Sequence, residues 1–185
     1  APITNFLAYA EQSFLDEVAL ASNKDPVKFR LDLLSRAKTS PVGAIKYDID
    51  RMKGVIEMAA EKSGWGTKKN LAQGFSVYFS HRSYVAQVAE VEMKKGKPSL
   101  KKIYAVSDCG VVVNLSGAKQ QVTGGIVDGL GHALATTGKV SDCRRARASL
   151  SRRVVSSFPA WPAGSMLPGV CPAEAGCEQP FARVT

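Results

Sequence analysis

Residues 101–134 read KKIYAVSDCGVVVNLSGAKQQVTGGIVDGLGHAL, and a change of period inside this stretch decides the fold. A β-rich run ends at Asp108-Cys109-Gly110, an apolar stretch and a turn at Asn114 follow, and a helical segment then runs from Ser116 to about Ala135. Its apolar positions Val122, Ile126, Leu130 and Leu134 recur every four residues, which places them on one face of a helix. The same segment holds Gly124, Gly125, Gly129 and Gly131. An interior helical glycine costs about 1 kcal/mol relative to alanine, so four of them need a reason. The usual reason is close approach, of another backbone or of a ligand.

Upstream of this stretch the period is 2. Gly74–Ser80 and Tyr84–Met93 alternate as strands, with Val85, Gln87, Ala89 and Val91 set against Ala86, Val88, Glu90 and Glu92. A turn over Lys94–Ser99 leads into Leu100–Val106, which completes an antiparallel hairpin. Three helices precede the strands. Asn5–Ala21 carries Phe6, Tyr9, Phe14, Val18 and Ala21 at spacings of one apolar face. Asp25 and Pro26 are an N-cap and a first-turn proline for a helix over Val27–Ala37. A third helix runs from about Tyr47 to Ser63 and ends at Gly64, with Gly64-Trp65-Gly66 as a tight corner. The expected fold class is α+β: helices, then a small antiparallel sheet of three or four strands, then the glycine-containing helix, then an irregular C-terminal tail.

The tail is set apart by composition. Residues 1–140 hold 15 Lys and 4 Arg, whereas residues 141–185 hold 6 Arg and no Lys. Three of the four cysteines (Cys143, Cys171, Cys177) and five of the nine prolines lie in those last 45 residues, with no sustained helical or strand period. The expected division is therefore an ordered part over 1–138 and an unrelated or disordered tail over 139–185. A shifted reading frame would produce such a switch, because Arg, Ala, Pro and Gly codons are rich in G and C.

The formal charge of +9 raises the question of nucleic acid. The lysines are scattered, and the one dense cluster, Lys94-Lys95-Gly96-Lys97, sits in a turn, so no nucleic-acid partner is expected. No apolar run approaches the roughly 20 residues that span a bilayer. Cysteine spacing suggests neither a disulfide framework nor a metal site, and Cys109 reads as a small buried residue at a strand end. His81 and His132 lack a third ligand at suitable spacing, so no metal bound directly by side chains is expected. GGIVDGLG does not give the G-x-G-x-x-G of a dinucleotide site and opens no βαβ unit.

Six blocks carry a family likeness in order: APITNF (1–6), QSFLDEVA (12–19), KDPVKFRLDLL (24–34), AAEKSGWG (59–66), SYVAQVAEVE (83–92) and AVSDCG (105–110). With the glycine segment after them, the chain resembles the molybdopterin-binding large subunit of the xanthine dehydrogenase and aldehyde oxidase family, in the branch of the isoquinoline oxidoreductase beta subunit. That family's run of D-x-G, N-P, Q-x-E-G-G/A and G-L is matched by Asp108, Gly110, Asn114, Gln121, Gly124, Gly125, Gly129 and Leu130. Leu115 replaces the usual Pro and Thr123 the usual Glu.

The resemblance implies an oxidoreductase that hydroxylates an aldehyde or N-heterocycle with oxygen from water. It implies a molybdopterin-type molybdenum cofactor in the intact parent, with iron–sulfur clusters on a partner small subunit. Gln121, Gly124 and Gly125 are the cofactor-binding candidates: an amide for the polar edge of a pterin, and glycines that bring backbone N–H groups close to an anionic group. From the residues alone, Gln121 also reads as a solvated helix residue and the glycines as helix–sheet packing positions. Asp108 reads as a structural carboxylate on nearby backbone donors, or as an acid or base.

The family's catalytic Glu lies in a G-G-x-G-E segment, and none occurs in residues 141–185, where Glu174 and Glu178 lack that setting. No catalytic residue is therefore expected in this chain, which reads as a fragment inactive alone. The other open reading is a non-catalytic, truncated α+β binding module. A cytoplasmic or periplasmic location stays open.

Overall fold

The structure is a computed structural model that describes residues 4–68, 71–94, 97–135 and 183–184. The order of elements is α1 (Thr4–Ala21), α2 (Pro26–Thr39), α3 (Ile49–Ser63), β1 (Ala72–Ser80), β2 (Ser83–Lys94), β3 (Lys97–Asp108), α4 (Leu115–Ala135) and β4 (Arg183–Val184). The fold is α+β. Two units divide the chain, one of residues 1–110 with 181–185 and one of residues 111–180, which carries α4.

In the first unit the strands form one antiparallel sheet in the order β1-β2-β3-β4. Register fixes which residues share a face. Phe75, Val77 and Phe79 pair with Val88, Ala86 and Tyr84, and the last three pair onward with Tyr104, Val106 and Asp108. This face meets α3, whose Met52, Val55, Ile56 and Ala59 are buried, with Val27 and Leu34 of α2 joining the same core. Val55, Ile56 and Val88 are wholly buried. Each such side chain contributes about 1.5–3 kcal/mol relative to exposure.

Local chemistry sets the helix ends. Asp25 Oδ1 accepts from Val27 and Lys28 N–H at 3.0 and 2.9 Å, while its Oδ2 accepts from Trp65 Nε1 at 2.8 Å. One carboxylate thus caps α2 and fastens the corner after α3. Gly64 ends α3 in the left-handed conformation (φ 61°, ψ 51°), as its position after the last apolar repeat implies. Trp65 packs edge-on against Phe75 at 5.8 Å between ring centroids.

Three expectations need correction. On α1, Tyr9 and Phe14 are 78% and 64% exposed, whereas Gln12 and Ala19 are buried. The reason lies in α2, where the buried Arg30 donates from Nε to Gln12 Oε1 (3.0 Å), from Nη2 to Gln12 O (3.1 Å) and from Nη1 to Pro26 O (3.0 Å). A buried guanidinium demands polar partners, so α1 turns its Gln12 face inward rather than its aromatic one. The second concerns β3, which begins at Lys97 rather than Leu100 and pairs Lys97 with Lys94, so the β2–β3 turn is shorter than Lys94–Ser99. The third is Cys109, which is exposed, because β3 ends one residue earlier and Gly110 (φ 79°) redirects the chain. Of the tail expected to be irregular, Arg183–Val184 pair with β3 as a short strand; residues 136–182 lie outside the described residues.

Candidate functional site

The three cofactor candidates all lie on α4. The helix starts at a side-chain cap: Asn114 Oδ1 accepts from Gly117 N–H at 2.9 Å, and Asn114 O accepts from Ala118 N–H at 3.0 Å. A Cβ at Gly117 would stand 3.3 Å from the Asn114 amide, so the bare residue lets the cap close. Gln121, Gly124 and Gly125 are spaced i, i+3 and i+4 and therefore share one face, and all three are exposed. Asp128 and His132 continue that face, with His132 Nε2 3.8 Å from Asp128 Oδ2. The opposite side carries the buried Ile126 and Val127.

A Cβ at Gly124, Gly125 or Gly129 would meet nothing within 4 Å among the described residues. Their backbone N–H groups sit in the middle of a 21-residue helix and already donate to carbonyls four residues back. The glycines thus supply bare, flat surface rather than hydrogen-bond donors. The free donors and acceptor on this face belong to the Gln121 amide. A cofactor with a flat ring system and polar edges fits such a face: the ring can lie close where no Cβ intervenes, and the amide can meet an edge.

Asp108 closes β3 and is a structural carboxylate. Arg51 on α3 grips it with Nε and Nη2 at 2.7 and 2.6 Å, and Asp108 Oδ1 also accepts from Gly110 N–H at 3.1 Å. The guanidinium holds the Asp108 carboxyl below its usual range against the opposing effect of burial, and the Arg51 pKa rises in turn. An ionised carboxylate so engaged is a poor proton carrier. Arg51 also lies 4.5 Å from the Tyr84 ring centroid, and Tyr84 Oη accepts from Asp48 N–H at 2.8 Å. The backbone donor at Gly110 follows the structural reading of the D-x-G spacing. Arg51, 57 residues away in sequence, had no signal nearby.

At the other end of the same sheet face stands a second polar group that the sequence reading passed over. Glu90 is 4% exposed. Lys68 bonds to its Oε1 and also donates to Tyr104 Oη at 3.1 Å. Gln73 Nε2 bridges Ser63 O and the same Glu90 oxygen at 3.2 and 3.4 Å. The Lys68 pKa is raised, chiefly by the bond to Glu90. A signal existed, since Glu90 is in phase with Ala86 and Val88 on the buried side of β2. His81 sits exposed in the β1–β2 turn with Arg82, both at positive φ (50° and 61°), as a two-residue hairpin loop requires. Neither His81 nor Asp108 lies on the α4 segment that holds the cofactor candidates.

Among the described residues, no group of three or more His, Cys, Asp and Glu is placed to hold a metal ion. No described helix is long and apolar enough to cross a membrane.

The family model described as a molybdopterin cofactor-binding domain matches residues 20–142. The beta subunit of isoquinoline 1-oxidoreductase from Brevundimonas diminuta is 32% identical over 68% of this chain and 16% of its own length. A membrane-bound, pyrroloquinoline-quinone aldehyde dehydrogenase from Gluconacetobacter polyoxogenes is 32% identical over 69% of this chain and 18% of its own. The nicotine 6-hydroxylase large subunit of Paenarthrobacter nicotinovorans is 26% identical over 72% and 15%. The chain thus spans less than a fifth of the length of these curated relatives. No solved structure matches at a significant level.

Proposed function

The chain belongs to the molybdopterin cofactor-binding domain family, and we propose that it is a piece of the large subunit of a molybdenum hydroxylase. The parent enzyme would be an oxidoreductase of the xanthine dehydrogenase and aldehyde oxidase class, adding water-derived oxygen to an aldehyde or N-heterocycle. An iron–sulfur small subunit would take the electrons onward. The observation that carries the reading is the family match over residues 20–142, which spans the whole of α4. The names of two relatives, an isoquinoline oxidoreductase subunit and a nicotine hydroxylase subunit, support an N-heterocycle as substrate.

In this role Gln121 holds a polar edge of the cofactor through its amide, and Gly124 and Gly125 admit the ring system because no Cβ stands in the way. Asn114 anchors the first turn of α4. Arg51 and Asp108 fix the end of β3, from which the chain leaves towards that helix. The bound cofactor itself supplies the redox chemistry at molybdenum; the protein positions it and shapes its electrostatics. Alone, the chain turns over no substrate, since residues 141–185 contain no glycine-rich segment bearing a Glu to act as base.

The test is the coding DNA from Gly138 through Cys143 onward, translated in all three frames. Another frame that restores a glycine-rich segment with a Glu supports the subunit reading and makes residues 139–185 a frameshift product. If no frame contains such a segment, the parent-subunit reading fails, and a non-catalytic α+β binding module takes its place.

A further inference from the structure

The sheet has an edge that its own sequence protects along only half its length. β3 pairs with β2 from Lys97 to Asp108 on one side. On its other side the described pairing is with β4, at Ala105 and Val106. The first half of that edge carries the devices that deter strand addition. Lys101 and Lys102 place charge there, Pro98 lacks an N–H, and a bulge leaves the Lys101 backbone without a ladder partner on β2, since Glu90 pairs with Lys102 and Val91 with Leu100. The second half, Ile103-Tyr104-Ala105-Val106-Ser107, has no charge, proline or glycine. The described pairing with β4, at Ala105 and Val106, falls within this second half.

From this we infer that the Ile103–Asp108 edge of β3 is a strand acceptor, whose partner is an extended, alternately apolar segment of the remaining large-subunit polypeptide, added antiparallel. Two facts choose this occupant. The strand that sits there now, Arg183–Val184, lies outside residues 20–142 that match the family, so the acceptor is family sequence and its present occupant is not. The chain also spans less than a fifth of its relatives' length, which leaves ample polypeptide to supply a strand. Six acceptor residues correspond to about 20 Å of strand. The incoming side chains would alternate between the helix-covered face, beside Tyr104 and Val106, and the other face, beside Ile103, Ala105 and Ser107. The identity of the partner rests on the function proposed above; the acceptor edge does not.

The test compares the full chain with two variants that free the edge: one ending at Pro180 and a full-length Val184→Pro. The probe is a fluorescein-labelled heptapeptide, Thr-Val-Thr-Val-Arg-Val-Thr, with a control methylated on alternate backbone nitrogens. The expected result is that the probe binds the variants about tenfold or more tightly than the full chain. It should also slow hydrogen exchange at residues 103–107, while the methylated control does neither. Equal binding to all three proteins, or binding that leaves exchange at residues 103–107 unchanged, would overturn the acceptor. Sedimentation velocity addresses the occupant: variants that dimerise and stay dimeric with saturating peptide would assign the edge to a second copy and overturn the partner. No readout involves molybdenum, so failure here and failure of the proposed function are separable.

Discussion

Replacing Arg30 with Met tests the polar core of the helical layer. The side chain is 3% exposed and makes three hydrogen bonds, to Gln12 Oε1, Gln12 O and Pro26 O, at 3.0–3.1 Å. It also pairs with Asp16 at 2.8 Å and lies 5.5 Å from the Phe75 ring centroid. Methionine fills a similar volume, so the loss is mainly electrostatic. Two carbonyls and an amide oxygen lose a charged donor; Gln12 Oε1 retains only Val77 N–H, at 3.3 Å. Breaking a buried ion pair from one side costs about 3–5 kcal/mol. The Asp16 side chain is 44% exposed overall, with only its Oδ1 buried, so the lower end, about 3 kcal/mol, applies. That lowers Tm by roughly 10 °C for a chain of this size. Urea unfolding followed by circular dichroism gives the number directly, from a midpoint shift at constant slope. Arg30→Lys, with the charge but not the fork, should recover less than half of the loss. A loss below about 1 kcal/mol for Arg30→Met, or full recovery by lysine, would refute the account.

Three further perturbations probe other parts. Ile56→Ala, at a fully buried position between α3 and the sheet, should cost about 3 kcal/mol by urea unfolding; under about 1 kcal/mol would place the core elsewhere. Gly64→Ala forces a side chain into φ 61° with its Cβ 3.0 Å from Thr67 Oγ1, and should cost about 1 kcal/mol; no loss by thermal melting would contradict the left-handed cap. Asp108→Asn should cost about 1 kcal/mol at neutral pH, since the Arg51 side chain is 37% exposed and solvent screens the pair. The folded-state pKa of Asp108 lies below its ordinary value, so this stability is present above about pH 4 and lost as pH falls through the lowered value. The wild type and the variant should therefore converge in acid, and a gap that persists there would assign the effect to something other than ionisation.

Legibility in the sequence followed the range of the interactions. The start of α2 was readable because Asp25 and Pro26 act within one turn, and the end of α3 because Gly64 does. The strands were readable because Val85–Val91 alternate. What escaped depends on distant partners. Which side of α1 turns inward is settled by Arg30, which lies 18 residues beyond Gln12, and by Val77 N–H, 65 beyond it; apolar spacing alone favoured the wrong face. Arg51 became visible only when α3 and β3 came together. For the candidate site, the sequence located the α4 segment and its glycines. It did not foresee that an unbroken helix commits the Gly124 and Gly125 N–H groups, which leaves the Gln121 amide as the candidate hydrogen-bonding group of that face.

The central claim is that the Gln121 face of α4 is part of a molybdopterin site. The most direct measurement is the pterin and molybdenum retained by the full chain purified from a host that makes the cofactor, beside Gln121→Ala and Gly125→Leu. Pterin would be read by fluorescence after oxidation and molybdenum by mass spectrometry. The account predicts retention by the parent chain and a loss of about tenfold or more in each variant, with helix content unchanged. No retention by the parent chain, or equal retention by all three proteins, would contradict it.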